Sequence, residues 1–108
     1  MKFAEFMNSW IMETKQLSEV FGSVGQVTRL EILKLLASLS KTENATGMAA
    51  GKIAEALKIA PPTLSFHLKD MTLRNILIQK RVGREVHYLA NLELILRALE
   101  DLVVQLEK

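Results

Sequence analysis

KIAEALKIAPPTLSFHLK, residues 52–69, is the stretch on which the fold turns. Its first half sets Ile53, Ala54 and Leu57 at helical spacing, and its second half sets Leu64 and Leu68 in a series that continues to Met71 and Leu73. Pro61 and Pro62 stand between the two halves. Proline has no backbone N–H and a fixed φ, so it fits the first turn of a helix and disrupts an interior. The pattern therefore predicts a short helix over about 49–57, ending before Ala60. A second helix starts at Pro61 or Pro62 and runs to about Arg74. Two short helices joined this tightly form a helix-turn-helix.

Working outward, residues 76–81 and 85–90 read as two strands around Val82, Gly83 and Arg84, where the glycine permits a positive φ. A helix-turn-helix followed at once by a hairpin is the winged arrangement, which is more specific than either piece. Beyond it, Leu92, Ile95 or Leu96, Leu99, Leu102 or Val103, and Leu106 repeat near 3.5 residues, predicting a closing helix over about 91–107. Upstream, residues 40–47 (SKTENATG) are the clearest loop. Before the loop, a helix over Val27–Leu39 turns Leu30, Leu33, Leu36 and either Ile32 or Leu35 inward, with Thr28 near its cap. Phe3, Phe6, Met7, Trp10, Ile11, Thr14 and Leu17 predict a long first helix over about 2–21, fading at Gly22–Gly25. The expected fold is one mainly α domain over 1–108, ordered α-α-α-α-β-β-α, with a small β-hairpin.

The 108 residues are 49% hydrophobic, enough for a core without cross-links. There is no cysteine, which excludes disulfides, thiolate metal ligands and thiol redox sensing. Residues 1–10 carry Glu5 and do not match a secretion signal, and no run reaches the ~20 apolar residues of a membrane span. A cytoplasmic protein away from the membrane is expected. The net charge of +2 is uneven. Residues 58–88 hold six basic side chains (Lys58, Lys69, Arg74, Lys80, Arg81, Arg84) against Asp70 and Glu85, a balance of +4. A basic segment centred on a helix-turn-helix is what a phosphate-facing surface needs, although charge asymmetry alone is equally compatible with ordinary scatter.

Four segments resemble the ArsR/SmtB family of small repressors. VFGSVGQVTRLEIL at 20–33 resembles the family's opening L-F-K-A-L-G-D-P-T-R-L-x-I-L, and KIAEAL at 52–57 resembles its E-L-A-E-A-L helix. PTLSFHLK at 62–69 is similar to its recognition helix S-T-V-S-x-H-L-K, and GREVHY at 83–88 to its wing G-R-x-V-Y-Y. The resemblance spans about residues 17–106. It implies a winged-helix homodimer that represses genes and releases DNA when an inducer binds. The sequence departs from the pattern at Gln26 and Val27, at the Pro61–Pro62 pair, and at Phe66.

On that basis Thr63, Ser65 and Phe66 are expected against base edges in the major groove, with Lys69 one turn on for phosphate. Phe66 has two readings, a contact with a thymine methyl or a place in the core. His67 is expected to be structural or to touch a phosphate. Arg84 is assigned to the minor groove, and Arg81 with Lys80 to the phosphates. The first and last helices carry more apolar stripe than one small core needs. The resemblance pairs subunits through them, so Phe6, Trp10, Leu92, Leu96, Leu99 and Val103 are the expected dimer interface. Met7 and Met12 fit either that interface or the core. The partner is then double-stranded DNA with an inverted-repeat operator.

Metal-sensing relatives carry a cysteine pair near the start of the third helix, and the matching positions here are Ala49 and Gly51. The last helix has Glu93, Glu100, Asp101 and Glu107 but no histidine, and its acids read as a solvated face. No metal, cofactor or catalytic residue is assigned, and no nucleophile or phosphate-loop motif points to an enzyme. The effector stays open between a small organic molecule, a protein antagonist and none. The rival function is a winged-helix module that binds protein instead of DNA, favoured by the apolar tip made by Pro61, Pro62 and Phe66.

Overall fold

The computed structural model describes residues 11–39 and 45–107. Within them the chain runs through α1 (Thr14–Val24), α2 (Val27–Leu39), β1 (Met48–Ala49), α3 (Ala50–Leu57), α4 (Pro61–Leu73), β2 (Leu77–Val82), β3 (Glu85–Ala90) and α5 (Leu92–Leu106). The mainly helical winged fold expected from the sequence is present, with one addition. β1 pairs antiparallel with β3, Met48 opposite Tyr88 and Ala49 opposite His87, so the hairpin becomes a three-stranded sheet ordered β1-β3-β2.

The turn of the helix-turn-helix is three residues long, Lys58 to Ala60. Lys58 takes a left-handed conformation (φ 56°) that ends α3, while Ala60 is extended and places Pro61 and Pro62 in the first turn of α4. Prolines are harmless there because those N–H groups have no intrahelical partner. At its other end α4 stops at left-handed Asn75 (φ 63°), and Ile76 N–H reaches back to the Met71 carbonyl at 2.9 Å. Asn91 then ties this corner to the start of α5. Its Nδ2 donates to the Asn75 carbonyl at 2.8 Å, and its Oδ1 accepts from Leu94 N–H at 3.2 Å.

The core is built from Ile32 and Leu36 of α2, Ile53 of α3, Leu64, Leu68 and Met71 of α4, Ile76 and Leu77 at the start of β2, and Ala98 of α5. Leu17 and Val20 of α1 close one side, and Met12 joins them as a core residue. Two expected inward residues face solvent instead. Leu30 lies on the outer side of α2, and Leu73 lies on the outer side of α4.

The first helix also departs from expectation. Residues 11–13 are not helical, and α1 starts only at Thr14 but runs past Phe21 to Val24. The cause is long-range. Met12 N–H donates to Asp101 Oδ2 at 2.8 Å, and Gln105 Nε2 donates to the Met12 carbonyl at 2.9 Å, so α5 side chains take both backbone groups of Met12. Gln16 then caps the new start by accepting from Glu13 N–H at 2.8 Å. Asp101 is accordingly a half-buried structural acid and not part of a solvated face. The expected helix from residue 2, with Phe6, Met7 and Trp10, lies outside the described residues, as does most of the 40–47 loop. At α2 it is Gln26, not Thr28, that caps, accepting from Arg29 N–H at 2.9 Å.

Gly47 leads into β1 with φ +74°, and a Cβ there would collide with the backbone carbonyl of Tyr88. A side chain must therefore both enter a left-handed conformation and displace β3. Gly47→Ala is expected to destabilise the fold by about 2 kcal/mol or more, read as a lowered midpoint in denaturant unfolding. Gly83→Ala meets open space and carries only the positive-φ penalty, so it should cost less.

Candidate nucleic-acid interface

α4 is anchored by Leu64, Leu68 and Met71, all buried. Helical geometry then fixes what faces outward. Pro62, Phe66, Lys69 and Leu73 form the ridge farthest from that anchor. Ser65 and Thr72 flank it on the side of the sheet, and Thr63, His67 and Asp70 on the side of α2. The alternatives for Phe66 are resolved by burial. Its side chain is 67% exposed and rests edge-on against His67 at 5.8 Å, so it is a surface residue at the tip of α4.

The flank facing α2 holds a polar lock that sequence reasoning missed. Arg29 reaches across from α2. Its Nε donates to His67 Nδ1 at 3.0 Å, and one terminal nitrogen donates to Asp70 Oδ2 at 2.6 Å and to Ser23 Oγ at 3.1 Å. Arg74 adds a longer contact to the same Asp70 oxygen at 3.4 Å. The Arg29 side chain is only 12% exposed, so the pairing is largely withdrawn from water. His67 is held neutral, since burial first and the Arg29 charge second push its pKa below the usual 6.5, with Asp70 opposing. His67 thus uses Nδ1 to orient α4 against α2, the structural role of the two expected.

The wing is a tight hairpin. Val82 pairs with Glu85 across a two-residue turn, and Gly83 supplies φ +64° at its first position. Register separates two residues that had been expected to act together. Arg81 pairs with Val86 on the face shared by Gln79 and Tyr88, whereas Lys80 pairs with His87 on the opposite face. Only Arg81 continues the surface that begins on α4. His87 secures the base of the wing, its Nδ1 lying 3.1 Å from the Thr46 carbonyl.

The charges of this face are available for a partner. Among the described residues Lys69, Arg81 and Arg84 are exposed and make no ion pair, while Arg29 and Arg74 share the one carboxylate of Asp70, which offsets only one of their two charges. The structure therefore brings Thr63, Ser65, Phe66 and Lys69 together on α4, sets Arg81 on the sheet face that continues from them, leaves Arg84 exposed in the wing turn, and withdraws His67 into the lock. Leu92, Leu96, Leu99 and Val103 lie elsewhere, exposed along α5. Phe6 and Trp10 lie outside the described residues.

The family model for bacterial regulatory proteins of the arsR family matches residues 26–75, from the cap of α2 to the end of α4. The transcriptional repressor SdpR of Bacillus subtilis (strain 168) is 31% identical over 75 residues, covering 69% of this chain and 76% of that protein. The chain belongs to the ArsR family. Solved structures agree. An ArsR-like transcriptional regulator from Rhodococcus sp. RHA1 superposes with a TM-score of 0.67 at 25% identity, covering 86% of this chain and 84% of that one. A predicted DNA-binding transcriptional regulator from E. coli shares the fold, with a TM-score of 0.63 at 17% identity over 99% of this chain and all of that one. The ArsR family is one of bacterial transcriptional regulators. No described helix is long and apolar enough to cross a membrane.

The neutral state of His67 gives a pH dependence with a definite sign. The folded protein binds this proton less tightly than the unfolded chain, so stability rises with pH across the window between the two pKa values. The contribution is complete above about 6.5 and is lost as pH falls below it. Unfolding free energies measured from pH 7.5 down to 5 should show the wild type losing more stability than His67→Asn. Parallel profiles would remove His67 from the lock.

Proposed function

We propose that this ArsR-family protein is a transcriptional repressor that binds double-stranded DNA as a homodimer, with α4 in the major groove and the β2–β3 wing on the adjacent backbone. The observation that carries the reading is the single face on which an exposed α4 ridge meets two unpaired cations, Lys69 and Arg81, with a third, Arg84, at the wing tip. Thr63, Ser65 and Phe66 are the side chains offered to base edges, the hydroxyls to hydrogen-bonding groups and the ring to a thymine methyl. Arg84, at the wing tip, suits the negative potential of a narrow minor groove. The repressor sense follows the relative named above. The chain has no cysteine, and the described residues hold no group of three side chains that could ligate a metal ion. The releasing signal in this reading is an organic molecule or a protein.

Dimerisation is supported by α5. Ala98 packs inward, with Leu94, Ile95 and Leu102 beside it, while Leu92, Leu96, Leu99, Val103 and Leu106 stay exposed at spacings of four and three residues. A stripe with that period fits the same stripe on a second copy. A twofold pair also sets two α4 helices about one DNA turn apart, which an inverted repeat requires.

One observation favours a second reading. Pro62, Phe66 and Leu73 make the α4 ridge unusually apolar, which suits a protein partner. Salt separates the two. With labelled duplex from upstream of the protein's own gene, the DNA reading predicts that log K falls with log salt by about 0.9 per neutralised phosphate, and that Arg81→Ala and Arg84→Ala each reduce the slope by about 1. Absence of binding to any duplex at low salt would favour the protein partner. The dimer is tested separately: Leu99→Glu should sediment as a folded monomer where the wild type sediments as a dimer, and a dimeric variant would move the interface away from α5.

A further inference from the structure

Between α4 and the sheet lies a groove of about 330 Å³ lined by Ser65, Lys69, Thr72, Leu73, Gln79 and Tyr88. Three features set it apart. Its polar side chains are all hydrogen-bond donors, and none is a carboxylate, in contrast to the cavity on the other flank of α4, which Glu19 and Asp70 line. Gln79 Nε2 approaches the Tyr88 hydroxyl oxygen at 3.4 Å, so that oxygen acts as the acceptor and its proton is free to be donated onward. Thr72 Oγ1 is buried in the wall without a hydrogen-bond partner, and Lys69 stands at the rim without an ion pair.

We infer that this groove seats one phosphate of the DNA backbone, held by Lys69 Nζ and the Tyr88 hydroxyl, with Gln79 orienting Tyr88. The inference rests on the DNA-binding reading and adds a contact that neither the tip of α4 nor the wing supplies. Those two elements reach the duplex on either side of the groove, so a strand passing between them runs over it. The anchor is insensitive to base identity and fixes how α4 lies in the major groove, since phosphate contacts set register while base contacts specify. The tyrosine and glutamine are neutral, so they strengthen binding without releasing counterions, whereas Lys69 releases about one.

The test is fluorescence anisotropy with a labelled duplex over a sodium chloride series, using the wild type, Tyr88→Phe, Gln79→Ala and Lys69→Met, with thermal melting of each free protein as a control for folding. The expected result is a loss of about tenfold for Tyr88→Phe and a smaller one for Gln79→Ala, equal on operator and scrambled duplexes and with the salt slope unchanged. Lys69→Met should weaken binding and lower the slope by about 1. Duplexes carrying a neutral methylphosphonate at single positions supply the second arm. At one position per half-site the wild type should lose affinity and Tyr88→Phe should lose little more. If the wild type binds duplex and Tyr88→Phe and Gln79→Ala bind as tightly, the phosphate seat is overturned while the DNA reading stands. If the variants keep their duplex affinity but lose a sensitivity of the wild type to inorganic phosphate, the seat takes a free anion and the backbone assignment is overturned. If the wild type binds no duplex at all, both fall together.

Discussion

The orientation of the recognition helix depends on one guanidinium. Arg29 leaves α2, passes Ser23 of α1 and ends between His67 and Asp70 of α4, so three helices meet at a single planar fork. Hydrophobic contacts hold α4 in the core through Leu64, Leu68 and Met71, but apolar packing tolerates small rotations. A fork with fixed donor directions does not, and a lysine could not reproduce it. Taking one member from a largely buried pair strands the other, at about 3–5 kcal/mol in fully buried cases and less here, where Asp70 keeps some water. The outward ridge of Pro62, Phe66 and Lys69 is aimed by this lock.

The same logic explains how charge is sorted. Two acids are spent on structure, Asp70 of α4 shared by Arg29 and Arg74, and Asp101 of α5 taken by Met12 N–H. What remains on the α4–wing face is cationic and unpaired. A net charge of only +2 over the chain therefore coexists with a face fit for a polyanion, because the neutralising acids lie elsewhere. The exposed leucines of α5 belong to a different face, which separates the surface read as DNA-binding from the surface read as self-pairing.

Much of this was legible in the sequence where the determining chemistry is local. Pro61 and Pro62 fixed the start of α4, Gly83 marked the wing turn, and the spacing of leucines drew α2, α4 and α5 to within a residue or two. The misses share a cause. The break at residues 11–13 is made by Asp101 and Gln105, about ninety positions away, and no window on the first segment contains them. β1 is two residues long and exists through pairing with β3, so it has no alternation to detect. Leu30 lies at the edge of its helix's apolar stripe, and Leu73, two residues past Met71, falls opposite the buried face of α4, so both face solvent. Arg29 stood in plain view beside Thr28, but its partners come from α1 and α4, and Gln79 and Tyr88 meet only after β2 and β3 pair.

The claim that α4 and the wing together form the DNA-binding face is tested most directly by mapping backbone amide NMR signals of the intact protein while a duplex is added at low ionic strength. The account predicts shifts concentrated at Thr63–Lys69 and across the Val82–Glu85 turn, with Lys80's side of the sheet and the outer leucines of α5 little changed. Shifts confined to α5, or none on α4 and the wing at saturating duplex, would contradict it.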